Sequence, residues 1–424
     1  MNLIQPFRGL RPAPDLAAKV ASHPYDVLNR EEAYKLANNN PLSFLHINKP
    51  EVDVDVMVSV YDQQVYDKGR ENLDHFISQG ILKRDNANRF YVYSQKMGEH
   101  SQVGFVGVAS LTAYRQGLIK KHEFTRPDKE DDRVNHMQAL AAHVGPVFLT
   151  YKTNPHIDTL VAGITSSEPE YDFTAEDGTH HTFWVVADEG DIQSLSSAFN
   201  QLDCLYVADG HHRSAAASRV QTMYAEKNPD HNGTESYNWF LAVLFPHDQV
   251  QILDYNRIIK DLNGMSSEEF LANLAINFDV QLVENWSAAK PVAHRQFGLC
   301  LSGGKGNAAR WYKLQVNSDS LNSIDENDPV QSLDVSIMQQ SMLTPLLGIE
   351  DQRTDKRIDF IGGIRGLQAL EQCVETSNWQ AAIALYPTSI ESLMAIADAN
   401  EVMPPKSTWF EPKLKSGLVI HMLD

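Results

Sequence analysis

Residues 205–216 read Leu205-Tyr206-Val207-Ala208-Asp209-Gly210-His211-His212-Arg213-Ser214-Ala215-Ala216, an apolar run that ends in a carboxylate, a glycine, two imidazoles and a guanidinium. Together these residue types suit an anion site. A strand that passes through Asp-Gly into an alanine-rich helix leaves backbone N–H groups and the positive end of the helix dipole pointing outward. Gly210 lets a ligand approach the main chain closely. Arg213 offers a planar fork of donors matched to phosphate oxygens, and His211 and His212 stand in the same turn. Asp209 is placed to hold Mg2+ or to orient a histidine. The bland alternative is a polar cap on an ordinary strand–turn–helix; four consecutive polar groups in one turn favour a ligand site.

Two further blocks carry groups of the same kind. Lys120-Lys121-His122-Glu123-Phe124-Thr125-Arg126-Pro127-Asp128-Lys129-Glu130-Asp131-Asp132-Arg133 interleaves both charge signs with His122 and Thr125. In it Glu123 is the candidate general base and Arg126 or Arg133 the candidate anion clamp; the competing reading is a solvated charge run. Met403-Pro404-Pro405-Lys406-Ser407-Thr408 is a proline-stiffened loop that would present Lys406, Ser407 and Thr408 to a carboxylate or phosphate, or would simply be a rigid turn. Phe7–Pro12 and Ser22–Asp26 serve equally well as site walls or as packing. Residues 298–305 do not make a phosphate-binding loop, because Gly304 stands where the lysine belongs; 302–307 read as a hairpin turn. His122-Glu123 lacks a second histidine at metalloprotease spacing.

The elements that must position these groups are a mixture of strands and helices without a regular βαβ beat, so an α+β fold is expected, a mixed sheet with flanking helices. Strands are predicted at 90–94, 102–111, 146–151, 181–187, 205–208, 237–245, 279–283, 296–302, 309–315, 380–386 and 417–422. Helices are predicted at 30–39, 54–79, from 214, at 333–346 and 367–374, and after a capping box with Thr388 as N-cap and Glu391 at N3. The expected organisation is a main domain over 1–265, a small α+β insert over 266–330, and a segment 331–424 that returns to the main domain.

Composition limits the partners. The 424 residues hold 36 Lys plus Arg against 55 Asp plus Glu, a formal charge of −19, which repels nucleic acid and anionic lipid unless a basic patch is concentrated locally. The three cysteines, Cys204, Cys300 and Cys373, contain no C-x-x-C pair, which argues against a disulfide framework or cysteine-zinc site and suits a reducing cytoplasm. The first residues lack the basic and apolar regions of a signal peptide. A cytoplasmic chain is expected, with a small-molecule substrate, no nucleic acid and no membrane; the oligomeric state is left open.

Pro6–Pro12, Ser22–Val27, Asn40–His46, Ala208–Arg213 and Met403–Thr408 resemble the bacterial and archaeal domain-of-unknown-function family numbered 1015, over almost the whole chain. At 254–257 the chain has Asp254-Tyr255-Asn256-Arg257 and departs from that pattern. Asp209-Gly210-His211-His212-Arg213 is also similar to an element of the ParB and sulfiredoxin superfamily, which includes kinases of free serine. That local resemblance implies phosphate binding on Gly210–Arg213, with ATP or ADP and Mg2+ as cofactors, and a kinase of L-serine or a similar hydroxy amino acid. A nucleic-acid-acting relative or a non-catalytic nucleotide or metabolite sensor are the rival expectations.

Overall fold

Runs such as Phe90-Tyr91-Val92-Tyr93 and Phe240-Leu241-Ala242-Val243-Leu244 are buried on both faces and occupy the interior of a nine-stranded sheet. Its strands are β1 (Ile4–Gln5), β2 (Phe90–Met97), β3 (His100–Ser110), β4 (Ile119–Lys120), β5 (Val147–Tyr151), β6 (Tyr171–Thr174), β7 (His180–Val186), β8 (Leu205–Asp209) and β9 (Trp239–Pro246). The spatial order is β4-β8-β5-β9-β3-β2-β7-β6, with β1 pairing the end of β3. The pairs β8–β4 and β9–β5 are parallel and the others antiparallel. This mixed sheet with flanking helices is an α+β architecture.

The computed structural model describes residues 2–304 and 308–423. They form two compact units, Met1–Val250 with Pro412–Asp424, and Gln251–Glu411. Three helices of the first unit bear on the site: α1 (Gln63–Ser78), α2 (Pro127–Leu140) and α3 (His211–Lys227), with α2 packed against both α1 and α3. The core under the large sheet joins Phe90, Phe105, Leu149 and Val207 to Val134, Phe199 and Val220 from the helical layer. Phe105 and Phe199 stack with ring centroids 4.3 Å apart. Each such fully buried side chain contributes about 1.5–3 kcal/mol, and that packing fixes where β8 ends and α3 begins.

The second unit is built on a six-stranded sheet of β10 (Tyr255–Ile259), β11 (Phe278–Val283), β12 (Gln296–Leu301), β13 (Arg310–Val316), β14 (Ile358–Gly362) and β15 (Ala381–Leu385), in the order β11-β13-β12-β15-β10-β14. Strands of the expected 266–330 insert therefore share one sheet with strands on both sides of it in sequence, because β12 pairs with β15. The boundaries 1–265, 266–330 and 331–424 are corrected accordingly, and only 412–424 return to the first unit. The hairpin turn expected at 302–307 falls partly on residues 305–307, outside the described residues.

Other differences are local and have local causes. The helix expected at 54–79 begins only at Gln63, where the Asp62 side chain accepts the Gln64 N–H as N-cap; Val56 and Met57 stay exposed. Gly80 takes a positive φ of 69° just past that helix, as a C′ glycine does. The helix expected at 333–346 is a short α-helical turn, Asp334–Met338, followed by a π-helical one, Gln339–Leu343. Ser389, not Thr388, caps the helix Ile390–Asp398, and Thr388 instead donates its hydroxyl to the Ser407 carbonyl. The expected strand at 417–422 shortens to His421–Met422. No helix among the described residues is long and apolar enough to cross a membrane.

Candidate functional site

The sequence folds at the site by a simple local logic. β8 is paired to β5 with a register shift between Val207 and Asp209, a bulge of the kind that re-aims a side chain at the end of a strand. Gly210 follows at φ 102°, a left-handed conformation open to glycine. α3 starts directly after it, so His211, His212 and Arg213 occupy its first turn. The expected strand–turn–helix is present.

Around this turn the first unit gathers a dense polar cluster. His122, from the segment after β4, meets His211 edge to face, with ring centroids 4.4 Å apart. The Nδ1 of His211 lies 3.8 Å from Glu123 Oε2. Arg213 donates from Nη1 to the Pro146 carbonyl, and its Nη2 is 3.6 Å from Asp26 and 3.9 Å from Asp209. Lys413, from the returning segment, donates to Asp209 Oδ2 at 3.0 Å. Next to Asp26, the Tyr25 ring carries the Arg133 guanidinium 3.9 Å from its centroid.

Depth sorts the chemistry. The carboxylates of Asp26, Asp209 and Glu123 are about a third exposed (39%, 31% and 35%), whereas His211 and Arg213 are almost fully enclosed (4% and 7%). Burial holds the His122 imidazole down at about 4 and His211 well below its ordinary value, so both are neutral near pH 7. Burial alone would raise Asp209, but Lys413 and Arg213 outweigh it and hold the carboxyl well below the usual range. Burial likewise pushes the Tyr25 phenol up to about 12. Four buried polar atoms here meet no hydrogen-bond partner: both ring nitrogens of His122, Nε2 of His211 and Nε of Arg213. Buried polar atoms are otherwise almost always satisfied.

The candidates named from the sequence separate into those the structure brings together and those it does not. Asp209, Gly210, His211, Arg213 and Glu123 share this cluster. His212 joins through its Nε2, which accepts the Arg126 backbone N–H at 3.0 Å. The Arg126 guanidinium is exposed and paired with Asp128 at 3.0 Å, and the cation on Asp209 is Lys413. Arg133 is buried between Tyr25 and Asp132, 2.6 Å away, and acts as a wall of the site. Arg213 is more deeply committed than a ligand-facing side chain would be, because its fork is partly spent on Pro146. Lys406, Ser407 and Thr408 lie in the second unit. There Lys406 sits over the Tyr255 ring at 5.6 Å, and the Ser407 hydroxyl donates to the Pro404 carbonyl, so the loop is a self-bonded turn.

Sequence reasoning passed over Lys413 and Lys415. Pro412 starts an extended stretch in which alternate residues share a face, and that spacing was the available signal. Lys415 donates to Asp177 at 2.8 Å, beside His23 and a buried His181 that shares a 2.7 Å hydrogen bond with the Tyr93 hydroxyl.

A family model described as a protein of unknown function, DUF1015, matches residues 4–336. The chain belongs to that family. No curated protein matches this DUF1015 chain. Among solved structures it is similar to SbnI with a C-terminal truncation from Staphylococcus aureus, at 11% identity and a TM-score of 0.37, covering 73% of this chain and 85% of that one. It is similar to a free serine kinase in complex with AMP at 12% identity and a TM-score of 0.35, covering 73% and 91%. A conserved hypothetical protein from Pyrococcus furiosus gives 13% and 0.33, covering 73% and 94%. At overlaps this loose, the chemistry of the DUF1015 site rests on its own side chains.

Proposed function

We propose that this chain is a nucleotide-dependent phosphotransferase whose acceptor is the hydroxyl of a small amino acid, with free L-serine the first to test. One observation carries the reading: the buried Nε of Arg213 meets no hydrogen-bond partner at the N-terminus of α3, beside a left-handed glycine. A buried, unpartnered guanidinium N–H at a helix N-terminus suits an anionic ligand that supplies the missing acceptor. A phosphate there would take hydrogen bonds from the first turn of α3 and from Arg213 Nε, while Lys413 turns from Asp209 toward the transferring group.

Asp26 and Lys413 bring opposite charges to the site, as recognition of an amino-acid zwitterion requires. Glu123 is the base for the acceptor hydroxyl, taking its proton as the oxygen attacks the terminal phosphorus and the bridging P–O bond breaks, releasing the nucleotide shortened by one phosphate. Asp209 is the carboxylate that would hold the Mg2+ accompanying ATP or ADP, and the ion would neutralise charge on the phosphate oxygens. The local resemblance of Asp209–Arg213 to free serine kinases motivates the choice of serine. The test is to incubate the purified chain with ATP or ADP, Mg2+ and a panel of hydroxy amino acids, and to follow product by phosphorus NMR. A phosphoamino acid is expected with one of the donors. No product with either overturns the reading, and nucleotide-dependent thermal stabilisation without product would make the chain a nucleotide binder.

A further inference from the structure

His122 and Glu123 are adjacent in sequence, and no second histidine follows at the spacing of a helical zinc motif. The fold supplies one from elsewhere. His211, on the first turn of α3, brings its ring against His122, and one ligand atom from each of His122, Glu123 and His211 lies within 4.8 Å of the others. We propose that these three side chains form a binding site for a divalent first-row transition ion of the zinc class, separate from the Mg2+ that a nucleotide would carry.

Two independent observations support the assignment. The donor set is two imidazoles and one carboxylate, the set that holds zinc with a position left open and that hard, all-oxygen Mg2+ sites do not use. Both imidazoles are also more than nine-tenths buried, at 1% and 4% exposure, yet both nitrogens of His122 and the Nε2 of His211 meet no hydrogen-bond partner. A buried imidazole nitrogen without a partner is costly, and a shared ion would take up one ring nitrogen from each histidine. Ligand atoms about 2.1 Å from a tetrahedral ion lie roughly 3.4 Å apart, so the three close in by about an ångström on binding. Glu123, at the more exposed end, would ligate through one oxygen and keep the other for the acceptor proton. The site therefore goes beyond the phosphotransferase reading and stands if that reading fails, since ion binding is measured without nucleotide.

The test uses the full chain, stripped with chelator and then desalted after exposure to Zn2+, with retained metal measured by elemental mass spectrometry. Co2+ in place of Zn2+ reports coordination through its visible absorption. One equivalent of retained ion and a low-symmetry Co2+ spectrum are expected. Glu123→Gln, which alters a partly exposed side chain, and His122→Asn should each weaken binding by at least the roughly 10–100-fold carried by outer-shell partners of metal sites, with circular dichroism unchanged for Glu123→Gln. Failure of the wild-type chain to retain an equivalent overturns the proposal. Unchanged affinity in a folded Glu123→Gln variant together with unchanged affinity in His122→Asn overturns it as well.

Discussion

Arg213→Ala removes a side chain that is 7% exposed and ties three parts of the first unit together: the Pro146 carbonyl before β5, Asp26 in the N-terminal segment and Asp209 at the end of β8. The alanine leaves the buried Pro146 carbonyl short of a donor, a cost of about 1–3 kcal/mol. Stripping one partner from a buried ion pair costs about 3–5 kcal/mol. Here the acids at 3.6 and 3.9 Å are themselves 39% and 31% exposed, so water recovers most of that second term. A net loss of about 2–3 kcal/mol is expected, which in a unit of this size lowers the melting temperature by roughly 4–12 °C. Arg213→Lys should recover part of the loss, keeping the charge but not the planar fork. Scanning calorimetry at pH 7 on the wild-type chain and both variants measures the shift. A melting temperature for Arg213→Ala within a degree of the wild type refutes the argument, since the buried ties would then hold nothing.

Glu123→Gln should leave nucleotide-induced thermal stabilisation intact and reduce phosphoamino acid formation by about 10²–10⁴-fold, the usual contribution of a positioned general base; an unchanged initial rate would remove Glu123 from that role. Asp177 is held at about 2: burial would raise it, but Lys415 outweighs that. The stability it contributes is therefore fully present above about pH 4 and lost as pH falls toward 2. Melting temperatures from pH 2 to 6 should show wild type above Asp177→Asn at pH 5–6 and the two curves meeting near pH 2, and parallel curves would contradict the pairing. Gly210→Ala forces a side chain into φ 102° with its Cβ 3.3 Å from the Arg213 guanidinium, so destabilisation of about 1–2 kcal/mol is expected by chemical denaturation, together with weaker nucleotide binding.

The parts of the fold that could be read from sequence are those whose causes are local. β2, β3, β7, β8 and β9 emerge within a few residues of their expected positions because buried, β-branched and aromatic runs have few alternatives. The turn Asp209–Arg213 was visible for the same reason, its carboxylate, glycine, imidazoles and guanidinium being contiguous. What pairs with it was not. Lys413 reaches Asp209 across a separation of 204 residues, and Asp26 comes from an irregular segment with no periodicity to mark it. The Lys406–Thr408 loop has a composition that suits anion binding, and locally the Ser407 hydroxyl is engaged by the Pro404 carbonyl. The helix expected from Val54 failed because apolar spacing was read through the residues before the Asp62 cap.

The route of the chain sets an order of events during synthesis. It leaves the first unit after Val250, builds 161 residues of a second unit between Gln251 and Glu411, and re-enters at Pro412. Asp209 and Asp177 emerge from the ribosome long before Lys413 and Lys415, so a nascent chain carries these carboxylates without their counter-ions while the second sheet is still being made. At typical translation rates of about 5–20 residues per second, that interval lasts roughly ten seconds or more, long enough for chaperones to act on a half-assembled site. The returning segment thus works as a latch, neutralising Asp209 and Asp177 only once the intervening unit has been made.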